Sequence, residues 1–138
     1  MTRILLANCQ VLDCTGAAPF PGSVLVQDER IREVWRAEQA PRTEDAQIID
    51  GKGATLMPGL IEPHAHVTFA DCAQSVDMGV IPVEEHLLIA LRNARTMLEA
   101  GFTSCVSAAS AKKRLDIVLR NAIDRGEFVL DYQPLIGL

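Results

Sequence analysis

The sequence of 138 residues contains few aromatic side chains and relatively few basic ones. Phenylalanine, tyrosine and tryptophan make up 4% of it, and 13 Lys and Arg stand against 18 Asp and Glu, which gives a net charge of −5. A nucleic-acid binder normally carries a basic stripe. The one basic cluster here is Lys112-Lys113-Arg114, which we interpret as a solvated helix face. We therefore expect no nucleic-acid partner.

Long apolar runs and a secretory signal are also missing. No stretch approaches the roughly 18 apolar residues of a membrane span. The N-terminal run MTRILLANCQ lacks an apolar core followed by a small-residue cleavage site. The four cysteines, at positions 9, 14, 72 and 105, include no CxxC pair, so we expect free thiols in a reducing compartment. We accordingly expect a cytoplasmic protein without a membrane partner.

The hydrophobic fraction of 49% is large enough for a core and excludes intrinsic disorder. In the first sixty positions, short apolar runs are separated by turn residues, which predicts strands. The predicted strands are 3–12, 23–27, 31–36, 46–50 and 54–57, with a hairpin between the second and third and a turn-rich stretch at 15–22. This part of the chain is therefore predicted to be all-β.

The pattern changes at Pro58-Gly59. Pro82 suits a first helical position, Gly101 suits a helix end, and one apolar face lies between them, at Leu87, Leu91, Ala94 and Leu98. A strand is predicted at 102–107. It precedes a helix with the apolar stripe Leu115, Val118, Leu119 and Ala122, ended by Gly126. Another strand is predicted from Phe128 to Leu130. Strands that alternate with amphipathic helices predict βαβ units and a parallel sheet.

Two of the three histidines, His64 and His66, are separated by one residue at the C-terminal end of the first predicted parallel strand. Residues i and i+2 of a strand project to the same face, so both imidazoles can approach one metal ion, and zinc binds imidazole nitrogen. An HxH pair alone is a weak signal, because two partly exposed loop histidines give the same pattern. For the third histidine, His86 on the predicted helix, we expect a solvated or satisfied side chain.

The run Met57-Pro58-Gly59-Leu60-Ile61-Glu62-Pro63-His64-Ala65-His66 resembles the PGLIDxHxH signature of the amidohydrolase superfamily. The turn at 50–53 resembles the family's entry into its barrel, and 98–104 resembles its join between the first helix and the second strand. The stretch 114–126 is similar to the branch that contains imidazolonepropionase-like and prolidase-like enzymes.

The resemblance implies a mixed fold. Residues 1–57 would form an N-terminal β-sandwich-like segment, and 58–138 would form the first βαβαβ units of a (β/α)8 barrel of the TIM type. Such a barrel needs about 200 residues or more. We therefore expect the N-terminal portion only, with a truncated barrel and with the apolar end of the chain, 128–138, as a strand cut off within it.

The resemblance also implies a metal-dependent hydrolase that acts on C–N bonds of small amide, lactam or dipeptide-like substrates through metal-activated water. His64 and His66 match the first two ligands of one or two divalent ions, with zinc as the expected metal. In the family the other ligands and a catalytic aspartate come from later strands, so no catalytic residue is identified within this chain. We expect the isolated chain to be inactive.

The sequence departs from the family pattern at Glu62, where aspartate is common, and at Ser107-Ala108-Ala109-Ser110, which replaces a charged, glycine-containing turn. Ser107 and Ser110 are candidates for substrate contact, and helix capping by Ser110 is the alternative. A second hypothesis for the whole chain is a non-catalytic structural or interaction module. Such a module would form a homo-oligomer through the open edge of its sheet.

Overall fold

The structure is a computed structural model that describes residues 2–39 and 45–127. The strands in this part of the chain are β1 (Arg3–Val11), β2 (Phe20–Gln27), β3 (Arg30–Arg36), β4 (Gln47–Asp50), β5 (Thr55–Leu56), β6 (Leu60–Ala65) and β7 (Phe102–Ser107). The helices are a short 3₁₀ helix (Ser75–Gly79), α1 (Val83–Glu99) and α2 (Leu115–Asp124). None of these helices is long and apolar enough to cross a membrane. The chain divides into two compact units, Met1–Pro58 and Gly59–Leu138.

The first unit is a five-stranded mixed sheet. Its strands lie in the order β3-β2-β1-β4, and β5 also pairs with β1. The pairs β1–β2 and β2–β3 are antiparallel, whereas β4 and β5 run parallel to β1. Residues of β1, β2 and β5 form an apolar cluster, which comprises Cys9, Val11 and Val24 with Leu6, Phe20, Val26 and Leu56 packed against it. The prediction of short strands in this part is confirmed.

The prediction of a turn up to Gly22 is wrong, because β2 begins at Phe20 instead of Ser23. Pro21 and Gly22 pair with β1 inside the strand. A Cβ atom at Gly22 would overlap the carbonyl oxygen of Trp35 on β3. Glycine here therefore permits a close approach between strands, and its presence does not signal a turn.

The turn between β4 and β5 is held by one carboxylate. Asp50 Oδ1 accepts hydrogen bonds from the backbone N–H of Lys52 (2.9 Å) and from Nδ2 of Asn8 (3.0 Å). These two bonds, the backbone bond first, lower the pKa of Asp50 below its ordinary value. The turn predicted between the strands 46–50 and 54–57 is confirmed, and a charge-assisted network fixes it to β1.

The second unit contains a parallel pair, β6 and β7, joined by α1. This βαβ unit confirms the predicted change of pattern after Pro58. Glu62 lies opposite Cys105 and Ala65 opposite Ser107, so three steps along β6 correspond to two along β7. This shift in register includes Pro63, which has no backbone N–H and cannot donate a hydrogen bond to the neighbouring strand.

The helix ends follow glycine, but one helix start differs from its prediction. Gly101 (φ +93°) and Gly126 (φ +68°) follow α1 and α2 in the left-handed region, as expected of glycine after a helix. The N-cap of α2 is Arg114, at φ +65°, so the prediction that Ser110 is the cap residue is wrong. Ser110 Oγ instead accepts the backbone N–H of Asp116 at 3.4 Å from outside the helix.

The predicted apolar stripes are only partly correct. Three of the four stripe residues of α2 are buried, and Val118 is 44% exposed. In α1 the predicted leucines and Ala94 are half-buried, whereas the fully buried side chains are His86 and Ala90. Ala90 packs with Val67 and Leu119, so the loop after β6 lies against both helices. The strand predicted at Phe128–Leu130 and the end segment 128–138 lie outside the described residues.

Candidate metal centre

The two predicted ligands lie at the carboxyl end of β6. His64 is on the strand, His66 directly follows its last residue, and both side chains are exposed. Their ring centroids are 5.2 Å apart with an interplanar angle of 85°. Two imidazoles that bind one tetrahedral zinc ion through nitrogens at about 2.0–2.1 Å have centroids about 5 Å apart. The separation of the pair is therefore compatible with two ligands of one ion.

Glu62 supports the backbone of the first histidine. Its Oε1 accepts the backbone N–H of His64 at 3.0 Å. This bond forms where the register between β6 and β7 shifts, so the carboxylate supplies an acceptor at an irregular point of the ladder. The residue that departs from the family signature thus acts on the main chain of a predicted ligand.

The second histidine packs on an aromatic ring. The imidazole of His66 stacks on Phe69, with centroids 4.4 Å apart and planes at 27°. The backbone N–H of Phe69 also donates to the carbonyl oxygen of His66 at 2.9 Å. A tight turn through two buried residues, Val67 and Thr68, therefore brings the phenyl ring against the imidazole.

Side chains of α1 hold this turn. Asn93 Nδ2 donates to the carbonyl oxygens of Val67 (3.0 Å) and Phe69 (2.8 Å), and His86 Nε2 lies 2.8 Å from that of Thr68. A carbonyl oxygen only accepts, so Nε2 carries the proton in this bond. His86 Nδ1 is buried without a partner among the described residues. His86 is 0% exposed, so it is not solvated, and it is satisfied at one nitrogen.

Thr68 connects this turn to the loop that follows β7. Its Oγ1 accepts the backbone N–H of Ala111 at 2.9 Å, while its carbonyl oxygen receives the bond from His86. Thr68 is 0% exposed. One buried residue thus joins α1 and the two loops that follow neighbouring strands.

The two candidate serines lie in the loop between β7 and α2. Ser107 Oγ lies 3.5 Å from the carbonyl oxygen of Ala109, and Ser110 Oγ donates to the carbonyl oxygen of Lys112 (2.8 Å). Desolvation raises the pKa of Asp116, but hydrogen bonds outweigh it, first from the Ser107 hydroxyl, and the net pKa is lowered. Both serines thus support the start of α2, and substrate contact by either one stays a prediction.

The described residues add no further metal ligands to the histidine pair. Within residues 2–39 and 45–127, no group of three or more His, Cys, Asp or Glu side chains could hold a metal ion. A cavity of about 580 Å³ lies among α1, β7 and α2, and its lining is mostly apolar and includes neither His64 nor His66. The four cysteines are free, as predicted.

Sequence reasoning missed Asn93 as a residue of this site. The available signal was its spacing, because His86, Ala90 and Asn93 follow the i, i+4, i+7 positions of one helix face. Two polar residues on the face of a helix that packs inward indicate buried hydrogen bonds.

No family model matches the chain, but curated proteins do. The 5-methylthioadenosine/S-adenosylhomocysteine deaminase of Syntrophomonas wolfei is 38% identical over 66 residues, which are 46% of this chain and 15% of the relative. The imidazolonepropionase of a Geobacillus species is 37% identical over 59 residues, which are 39% of this chain and 14% of the relative.

Solved structures cover more of the chain. An amidohydrolase superposes with a TM-score of 0.76 at 30% identity, over 91% of this chain and 29% of its own. A prolidase complexed with N-methylphosphonate-L-proline superposes with a TM-score of 0.77 at 30% identity, over 93% of this chain and 30% of the prolidase chain. The chain resembles the N-terminal portion of amidohydrolase superfamily enzymes. The resemblance read from the HxH signature is thereby confirmed.

This amidohydrolase-like chain spans about one seventh of the curated relatives and less than a third of the solved structures that it matches. Its relatives carry the names of enzymes that hydrolyse C–N bonds, so the resemblance is to an enzyme family. The names of those relatives differ in substrate, from deaminase to imidazolonepropionase to prolidase.

Proposed function

We propose that this chain contributes to a metal-dependent hydrolase that cleaves C–N bonds of small amide, lactam or dipeptide-like substrates. The observation that carries the proposal is the pair His64 and His66, with ring centroids 5.2 Å apart at the end of β6, in a chain that resembles amidohydrolases. The carboxyl ends of parallel strands are where α/β barrels place their chemistry.

In this proposal His64 and His66 hold one divalent ion, with zinc expected because imidazole nitrogen is among its preferred ligands. A divalent ion held there would supply Lewis-acid chemistry, which makes a nucleophile available from water near neutral pH and polarises the scissile carbonyl. The chain's own part is to position two exposed imidazoles. Glu62 bonds the backbone of His64, and the Phe69 ring stacks on His66. The proposed centre holds one or two such ions.

The remaining ligands and the group that transfers the proton are expected outside residues 2–39 and 45–127. We propose that the order β6-α1-β7-α2 begins a TIM-type barrel, and that the protein works in the cytoplasm. Two histidines would fill only half of a tetrahedral coordination sphere. The 138-residue chain alone is therefore expected to bind metal weakly and to be inactive.

Zinc or cobalt titration of the 138-residue chain tests the metal site. We expect weak binding that falls by more than about tenfold in His64→Ala and in His66→Ala, since even indirect supports of a metal site cost 10–100-fold. Cys72→Ala is the matched control, because this thiol lies six residues beyond the pair in sequence, and its removal should leave the affinity unchanged. Equal affinities in the wild-type chain and both histidine variants would refute the site.

Enzyme assays on the same preparation test the rest of the proposal. Amide, lactam and dipeptide substrates with added zinc should show no turnover by the isolated chain. Turnover that disappears in His66→Ala would contradict the expected inactivity while it supported the metal site.

The second candidate function is a non-catalytic module that forms a homo-oligomer through its open sheet. It is favoured by exposed apolar residues on the β6–β7 pair, Ile61 at 67% and Val106 at 57%. Light scattering of the wild-type chain and of Val106→Lys discriminates the two functions. A discrete oligomer that Val106→Lys dissociates, in a chain that binds no zinc, would favour the module.

A further inference from the structure

One face of α1 meets the turn that follows His66. His86, Ala90 and Asn93 lie on this face, and between them His86 and Asn93 satisfy three consecutive carbonyl groups, those of residues 67–69. Ala90 is 0% exposed, and its small side chain lies between the two polar ones. The turn can therefore lie close against the helix, within reach of both donors.

The same turn also contacts the imidazole of His66, through Phe69. Phe69 is fixed at both ends of its backbone, because its N–H donates to His66 and its carbonyl oxygen accepts from Asn93. Its phenyl ring lies 4.4 Å from the imidazole centroid. A continuous set of contacts thus runs from the Asn93 amide through Phe69 to the ring of His66.

We propose that Asn93 is a positioning residue for His66. Its side-chain amide fixes the backbone at Val67 and Phe69, and the stacked Phe69 ring then holds the imidazole in the orientation in which it binds metal. The proposal rests on the metal site proposed above. It assigns no contact between Asn93 and the metal or the substrate.

A purely structural role for Asn93 makes a different prediction. If the amide only joined helix and loop, its loss would lower the stability of the chain, yet His66 in the folded molecules would keep its environment. The NMR signals of the His66 ring protons distinguish the two roles without any metal, because a ring stacked on Phe69 experiences its ring current.

Asn93→Asp is the test variant, because it keeps the shape of the side chain and replaces both N–H donors by an acceptor facing two carbonyls. Asn121→Asp is the matched control, because Asn121 is on α2 and accepts hydrogen bonds from its neighbour Arg120. In the metal-free 138-residue chain, we expect Asn93→Asp to shift the His66 ring signals and the control to leave them in place. Cobalt affinity should fall by about tenfold or more in Asn93→Asp only.

Phe69→Leu completes a double-mutant cycle. It removes the stacked ring and leaves the backbone bonds, so if Asn93 acts through Phe69, the double variant should lose no more cobalt affinity than either single variant. Additive losses would overturn the proposal, as would wild-type His66 signals and affinity in a folded Asn93→Asp chain. If Asn93→Asp does not fold, as judged by circular dichroism, Asn93→Ser, which keeps one hydroxyl donor, takes its place.

The outcomes for the two proposals are separable. If the wild-type chain binds no cobalt, the metal site fails, and the His66 ring signals of the metal-free chain still decide the role of Asn93. If the wild-type chain binds cobalt and Asn93→Asp binds it equally well, the metal site stands and the positioning role is wrong.

Discussion

Thr103 of β7 occupies the space into which a side chain at Gly59 would extend. A Cβ atom at Gly59 would overlap Cγ2 and Oγ1 of Thr103 and would lie 2.7 Å from its Cβ. Rotation of the threonine cannot remove a clash with its own Cβ, and a β-branched side chain has few other rotamers. The backbone that enters β6 therefore requires glycine at this point.

Gly59→Ala should destabilise the second unit by about 1–3 kcal/mol, the usual cost of an overpacked site. Urea denaturation followed by circular dichroism measures the loss. Gly79→Ala is the control, because a Cβ there meets nothing within 4 Å, and its effect should stay within about 0.5 kcal/mol. Equal midpoints for the two variants would contradict the close packing of Gly59 on β7.

Asp50 predicts an acid-sensitive first unit. Hydrogen bonds from Lys52 and Asn8 lower its folded-state pKa below the ordinary value of 3.8. A lowered carboxyl pKa contributes stability that is present above the unfolded-state value and is lost as pH falls through the folded-state value. We therefore expect Asp50→Asn to be less stable than wild type at pH 7, with a difference that shrinks below about pH 4.

Urea midpoints measured from pH 7 to pH 2.5 check this dependence. Asp71→Asn, which removes an exposed carboxylate from the loop after β6, is the control and should follow the wild-type profile. A constant gap between Asp50→Asn and wild type over the whole range would show that the carboxylate charge is not the cause.

The buried and the exposed thiols should differ in reactivity. Cys9 is buried, and its pKa is raised by desolvation first and by the nearby charge of Asp50 second, whereas Cys14 and Cys105 are exposed. The thiolate is the reacting species. We expect iodoacetamide to modify Cys14 and Cys105 faster than Cys9, because burial limits access to the Cys9 thiol and its raised pKa leaves less of the reactive thiolate.

Mass spectrometry of timed samples at pH 7.5 resolves the individual sites. In 8 M urea the difference should disappear, since burial and the neighbouring charge are lost together. If Cys9 reacts as fast as Cys105 in the native chain, the packing of β1 against β2 around it is wrong.

The elements that the sequence predicted well are those set by local chemistry. β7 matches its prediction at 102–107 because Gly101 ends α1 in a conformation that favours glycine. The HxH pair could be predicted from the sequence, because two strand residues separated by one position project from the same face. In each case the decisive residues are neighbours in the chain.

The features that the sequence did not predict depend on distant partners. Gly22 looks like a turn residue, yet its role is set by Trp35 on another strand. His86 looks polar and solvated, yet it is buried because it meets the carbonyl of Thr68, 18 positions away. Apolar periodicity carries no information about such bonds. For the same reason, the proposed support of His66 by Asn93 could not be predicted from the sequence.

The hydroxyl of Thr68 has a consequence for motion. Because it accepts the N–H of Ala111 while the same residue is bonded to α1, the loops that follow β6 and β7 cannot separate from the helix independently. They should open as one cooperative unit, so the amide of Ala111 should exchange its hydrogen at the pace set by the turn beyond His66. A displacement at one strand end would then reach the other through this side chain as well as through the sheet.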